Sequence, residues 1–350
     1  MQFYTLTINK IQRETEAAIC LGFDVPDSLK EIFTFKAGQY VTLKATINGK
    51  KVRRDYSLCV SPTDNQLKVV VKEVENGTFS TFANRSLKVG DALAVSAPNG
   101  RFTFEPDDSK SRHILLFAAG SGITPVMSIL KTILKDEPNS HAYLVYGNKS
   151  PKDTIFLDEL TALSEGFSER FEHIKLYSQA NEDGALFGRI DSSHINYVLK
   201  NTFKHIAFDS YYLCGPEAMT ITIRNILQDR GVESNKVFYE LFTAATPTEE
   251  SLAQVNDGTT EITVIVDDDE ATFTMQQDKT VLEAALNEGL DAPYSCQGGV
   301  CSSCIARIVE GEATMRQNNI LTDSELAEGL ILTCQAQPTS AKLKVDYDDV

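Results

Sequence analysis

Cys296-Gln297-Gly298-Gly299-Val300-Cys301-Ser302-Ser303-Cys304 decides how the last part of this chain must fold, and Cys334 completes the set downstream in Leu332-Thr333-Cys334-Gln335. The spacing C-x4-C-x2-C with a distant fourth cysteine is that of plant-type 2Fe–2S sites. Four thiolates around two irons need a tightly wrapped loop, and Gly298 and Gly299 reach backbone angles closed to other residues. Backbone N–H groups in such a loop point at the sulfurs and tune the potential. A structural zinc site and cysteines that merely pack are the competing readings, but zinc sites usually show two short Cys pairs, whereas Cys334 stands alone. Cys20, Cys59 and Cys214 read as buried packing residues. Seven cysteines, an odd number with four crowded near one end, suit a metal site in a reducing compartment better than a disulfide framework.

Upstream of the cysteines, Glu261–Val266 reads as a strand, Asp267-Asp268-Asp269 as a turn, Ala271–Met275 as a second strand and Thr280 to about Asn287 as a helix. The acidic turn Asp267–Glu270 reads either as a solvated hairpin tip or as a dock for a basic partner. From Thr243 to Thr260 the apolar periodicity disappears, as in an interdomain linker. Before it, from His113 to about Phe242, buried apolar strands alternate with helices, which implies a parallel sheet covered on both faces. From Tyr4 to about Phe104 short strands are punctuated by Asn48-Gly49, Asn76-Gly77 and Asn99-Gly100, the pattern of a small antiparallel barrel. The expected division is therefore 1–106 barrel, 107–243 doubly wound α/β domain, 244–260 linker and 261–350 ferredoxin-like domain.

Two glycine loops mark nucleotide chemistry. Ile114–Ala119 runs into Gly120-Ser121-Gly122-Ile123-Thr124-Pro125 and then the helical run Val126–Leu134. Thr124 is expected to cap that helix and Pro125 to occupy its first position, leaving free N–H groups for a pyrophosphate. A lone G-x-G is also compatible with a plain tight turn, since the full G-x-G-x-x-G fingerprint is absent. Cys214-Gly215-Pro216 ends another strand and opens a helix read as Ala218–Gln228. In the barrel, Arg54 and Tyr56 share one face of a strand, suiting a phosphorylated ring cofactor, although an ordinary surface Arg and a half-buried Tyr give the same pattern. Gly77-Thr78-Phe79-Ser80 precedes a short helix read as Thr81–Arg85, as either a phosphate seat or a simple capped turn.

Composition narrows the partners. A net charge of -16 over 350 residues disfavours nucleic acid and anionic membrane surfaces. No apolar run approaches the ~20 residues needed to span a bilayer, and the start lacks signal-peptide character, so the expectation is a cytoplasmic protein without membrane insertion.

In order, Arg54-x-Tyr56-Ser57, Gly77-x-x-Ser80, Gly120–Pro125, Cys214-Gly215-Pro216 and Glu240-Leu241-Phe242 resemble the ferredoxin-NADP reductase superfamily. With the C-terminal cysteine cluster, the chain resembles the reductase components of multicomponent oxygenases over nearly its whole length. Within that group it resembles the reductase subunits of phenylacetyl-CoA epoxidase, through Tyr146-Gly147-Asn148-Lys149-Ser150, Gly188-Arg189-Ile190-Asp191, Leu332–Ala336 and Val345-Asp346-Tyr347-Asp348. The resemblance implies an FAD-binding β-barrel, a doubly wound NAD(P)-binding domain and a β-grasp 2Fe–2S domain. It also implies electron flow from NAD(P)H through FAD and the cluster to an oxygenase. Arg54 would hold the FAD pyrophosphate, Tyr56 would stack on the ring and Ser57 would lie beside it, with Lys72, Gly77, Phe79 and Ser80 lining the rest. Phe242 would sit where nicotinamide enters, Gly120, Gly122, Thr124 and Pro125 would bind the dinucleotide, and Cys214, Gly215 and Pro216 would flank the nicotinamide. Tyr56, Ser57, Cys214 and Phe242 would be the residues at the chemistry, and Cys296, Cys301, Cys304 and Cys334 the cluster ligands. Where NADP-preferring relatives show Ser-Arg and Asn-Arg, this chain has Ser178-Gln179 and Asn148-Lys149, so NADPH is the expected donor with NADH as the alternative. Other readings are the same electron chain serving a hybrid-cluster protein, hydroxylase or desaturase, and a redox-sensing binding protein.

Overall fold

The computed structural model describes residues 2–242 and 258–350, so most of the expected linker lies outside the described residues. The chain separates into two compact units, Phe3–Leu241 and one carrying the residues from Phe242 onward.

The first unit begins with six strands, β1 (Phe3–Thr15), β2 (Ala18–Asp24), β3 (Tyr40–Ile47), β4 (Lys50–Ser57), β5 (Leu67–Lys72) and β6 (Ala92–Ser96). They pair antiparallel in the order β4-β3-β6-β1-β2-β5. A bridge between Leu58 and Val69 joins the outermost strands and closes the barrel. The hairpin from β3 to β4 turns on Asn48 and Gly49, both at positive φ (50° and 77°), as a two-residue turn matched to strand twist requires. Leu6, Ile8, Leu21, Val41, Leu43, Val69 and Phe79 fill the interior. Phe79 belongs to helix α1 (Thr78–Ser86), which starts before the expected Thr81 because Gly77 is its N-cap.

The parallel sheet follows, with β7 (His113–Ala119), β8 (His141–Asn148), β9 (Phe171–Tyr177), β10 (Ala185–Phe187), β11 (Ser210–Gly215) and β12 (Val237–Leu241) in the order β10-β9-β8-β7-β11-β12. Helices α2 (Ile123–Asp136), α3 (Leu157–Gly166), α4 (Ser192–Tyr197) and α5 (Glu217–Asp229) accompany it. Alternate residues of β7 enter different cores: Ile114 and Leu116 pack with α2, while Leu115 and Phe117 pack with Ile195 of α4 and Ile223 of α5. Both faces are thus buried, which is why these strands read as continuous apolar runs. Strand order reverses between β7 and β11, and ligands of such sheets bind beyond the carboxyl ends at that point. Helix α2 also docks on the barrel, where Ser128 Oγ donates to Val60 O (2.6 Å) and Lys131 Nζ to Cys59 O (3.2 Å).

The second unit contains β13 (Thr259–Val266), β14 (Asp269–Gln276), α6 (Val281–Asn287), β15 (Ile305–Met315), α7 (Asp323–Ala327), β16 (Leu330–Leu332) and β17 (Ala336–Asp346). Their order, β14-β13-β17-β15-β16, with β13 and β17 parallel at the centre, is a β-grasp. Strand β13 begins at Thr259, so the last two residues assigned to the linker are already paired. Val281, Leu282 and Ala285 of α6 pack against Ile262, Val264, Leu343 and Val345.

Candidate functional site

In the first unit the carboxyl end of β4 meets those of β11 and β12. Parallel register sets Cys214 beside Glu240, and Ser57 Oγ donates to Glu240 Oε2 at 3.3 Å. Burial first, then the Asp55 carboxylate, pushes the Glu240 carboxyl up to about 8, while the Ser57 hydroxyl acts in the opposite direction. Burial, helped by Glu240, raises the Cys214 thiol well above its usual range, so it is no nucleophile here. Glu240 enters the sequence reading only as part of a motif. A single Glu in a strand carries no signal until its partner, 183 residues away, is known.

The two glycine loops converge on the same place. A Cβ on Gly122 would lie 2.1 Å from Cys214 O, which excludes any side chain there, and one on Gly215 would lie 2.6 Å from Met219 Cε and 3.1 Å from Ala119 Cβ, a tight fit. Thr124 is not the helix cap. A 3-10 turn, Gly120–Gly122, precedes α2, leaving Thr124 and Pro125 as its second and third residues, and Thr124 Oγ1 instead donates to Ser121 O (3.0 Å). Pro216 is the N-cap of α5, which opens at Glu217 rather than Ala218.

The residues expected at the ring cofactor lie along the neighbouring barrel wall. Tyr56, half-buried on β4, has its ring centroid 5.6 Å from that of Phe79. Burial pushes its phenol well up, so the ring is neutral. Arg54 is exposed on the same strand. Gly77 leaves the start of α1 bare, since a Cβ there would lie 2.3 Å from Ser80 Oγ, the group that accepts from Val74 N (3.3 Å). The Lys72 ammonium stands 3.5 Å from where a Gly120 Cβ would be, and burial followed by the Lys149 charge lowers its pKa. A lysine ammonium beside a glycine turn at φ 54° fits phosphate oxygens. At the ends of β8 and β9, Ser178 N donates to Asn148 O (2.9 Å) and Gln179 N to Lys149 O (2.8 Å), so the two dipeptides form one edge. The Asn148 side chain is within hydrogen-bond reach of the buried Tyr146 hydroxyl there. Phe242, 39% exposed, follows β12 directly.

In the second unit the four thiols of Cys296, Cys301, Cys304 and Cys334 come together. Cys301, then Cys334, then the Gly298 and Val300 N–H groups hold Cys296 far below the usual thiol range. Contacts with Cys296 and Cys304 push Cys334 in the opposite direction. Gly298 N donates to Cys296 Sγ at 3.3 Å. Gln297 (φ 54°) and Gly299 (φ 70°) supply the left-handed turns of the loop. Among the described residues no group of three or more His, Cys, Asp or Glu is arranged to hold a single metal ion. Four thiols with inward N–H donors fit a two-iron cluster instead.

Fold and donor sets together define an electron-transfer reductase with separate flavin, nicotinamide and iron–sulfur modules. Residues 5–104 match the oxidoreductase FAD-binding domain, 116–225 the oxidoreductase NAD-binding domain and 264–339 the 2Fe–2S iron–sulfur cluster binding domain. The chain is 35% identical over 349 residues, 99% of its length and 98% of the relative's, to a subunit of the 1,2-phenylacetyl-CoA epoxidase of Escherichia coli (strain K12). It is 31% identical, over 98% of this chain and 96% of the relative, to the ferredoxin reductase component of 3-ketosteroid-9-alpha-monooxygenase from Rhodococcus rhodochrous. Among solved structures it resembles phthalate dioxygenase reductase, with a TM-score of 0.63, 25% identity and 98% of each chain covered. The chain belongs to the family of flavin- and 2Fe–2S-containing reductase components of oxygenase systems.

Proposed function

We propose that this reductase draws electrons from NADPH and delivers them to an oxygenase of the phenylacetyl-CoA epoxidase type, in the cytoplasm. The 35% identity to a component of that enzyme along almost the whole chain supports the choice of partner. The observation that carries the site reading is the meeting of Ser57, Cys214 and Glu240 at the glycine loops. The working division is 1–106, 107–243, a linker that ends before β13, and a ferredoxin-like domain that begins at Thr259 rather than at the expected 261.

FAD supplies conversion between paired and single electrons. The chain's own groups bind, align and exclude water. Arg54 and the free N–H groups of α1 after Gly77 hold phosphate, with Phe79 and Ser80 fixing that turn. Tyr56 offers its ring face, and Lys72 serves both phosphate loops because it reaches Gly120. Gly120, Gly122, Thr124 and Pro125 seat the dinucleotide, while Cys214, Gly215 and Pro216 shape the nicotinamide end with a fully buried thiol that keeps water out. Glu240 holds a proton at its carboxyl up to about pH 8, beside the Ser57 hydroxyl. Phe242 is the residue assigned to the nicotinamide entrance. Asn148, Lys149 and Ser178 form the adenosine end, where Lys149 meets a 2'-phosphate as a point charge without arginine's fork. Cys296, Cys301, Cys304 and Cys334 ligate the cluster.

Steady-state kinetics with both nucleotides and with purified epoxidase oxygenase components test this. The expected outcome is a kcat/KM for NADPH about tenfold above that for NADH, the factor one charge-assisted contact provides, together with turnover of the epoxidase. Preference for NADH, or turnover only with an unrelated oxygenase, contradicts the corresponding half.

A further inference from the structure

Cys334 reaches the cluster loop from a separate stretch of chain, so something must hold it in register. Its two neighbours do so from opposite sides. Thr333 donates to the carbonyl oxygen of Cys304 from both N (3.0 Å) and Oγ1 (2.9 Å), and Tyr347 OH donates to Thr333 Oγ1 (2.9 Å). Gln335, 7% exposed, donates from Nε2 to Gln297 O at 3.1 Å and lies 3.6 Å from Cys334 Sγ, within reach of an N–H···S bond. The loop is packed against the stem of this side chain, since a Cβ on Gly299 would lie 3.0 Å from Gln335 Cγ. One amide therefore touches the fourth ligand's sulfur and the backbone beside the first ligand.

We propose that Gln335 is a positioning residue that sets the reduction potential of the cluster and holds the first and fourth ligands in register; the inference rests on the reading of these thiols as a 2Fe–2S site. An N–H aimed at a ligand sulfur stabilises the extra negative charge of the reduced cluster. Removing it shifts the midpoint to more negative values, and a carboxylate in the same place shifts it further.

The test uses full-length, FAD-loaded, cluster-replete protein as wild type, Gln335→Met and Gln335→Glu. Met fills a similar volume without a donor, and Glu keeps the shape while adding charge. EPR-monitored redox titration should give midpoints in the order wild type, Met, Glu, from least to most negative. Iron release to a chelator should be about fivefold faster in the Met variant, as the loss of one net hydrogen bond implies. A folded variant that cannot keep iron supports the holding role. Unchanged midpoints in both variants, or wild-type iron release in both, overturn the proposal. Wild-type protein that takes up no iron or sulfide overturns the reading of the thiol site itself, a result distinct from either.

Discussion

At the scale of one residue, Glu240 is the buried carboxyl of the first unit whose titration can be followed. Its carboxyl is raised from 4.5 to about 8, so the folded chain binds this proton more tightly than the unfolded chain does. The stabilisation is complete below about pH 4.5, falls as pH rises, and is gone above about pH 8. Glu240→Gln is neutral at every pH and removes that slope. Urea unfolding from about pH 5 to about pH 9 should show wild type losing on the order of a few kcal/mol that the variant retains; parallel profiles would contradict the assignment. Neither this residue's surroundings nor the edge that Asn148-Lys149 shares with Ser178-Gln179 is legible in the sequence, because both depend on strands distant along the chain. Cys296, Cys301 and Cys304 stand out in the sequence because their spacing is local, whereas Cys334 lies well downstream and joins them only through the fold.

Short capped helices hold the thiol loop at the scale of elements. Thr280 accepts from Glu283 N at 3.2 Å while Glu283 Oε2 accepts from Thr280 N at 2.9 Å, a reciprocal box that starts α6. Leu282 N, in the first turn, donates to Thr333 O beside Cys334 (3.0 Å), so the cap is tied to the fourth ligand. Thr280→Ala should cost about 1 kcal/mol of stability and hasten iron loss; thermal melts together with chelator assays check both, and an unchanged melting temperature contradicts the role of the cap. The start of α6 is readable from Thr280 because the capping chemistry is local. The start of α2 departs from the sequence reading because a 3-10 turn intervenes before the helix, moving Thr124 inside it, and no residue type announces such a turn.

Barrel, parallel sheet and β-grasp follow one another along the chain as the composition shifts imply, since each has its own hydrophobic period: alternation, buried runs, then hairpin and helix. Acidity belongs to the whole molecule too, with 49 Asp and Glu against 33 Lys and Arg, while Lys72 stands at the Gly120 turn within range of the Lys149 charge. Among the described residues no helix is long and apolar enough to cross a membrane. The modules make sense only as a path in which paired electrons from a nicotinamide leave singly through iron. Anaerobic titration of the FAD-loaded, cluster-replete protein with NADPH, followed by flavin absorbance and by the EPR signal of a reduced 2Fe–2S cluster, measures that path directly. Flavin bleaching accompanied by the growth of the cluster signal is the outcome expected; flavin that bleaches while the cluster stays oxidised would contradict it.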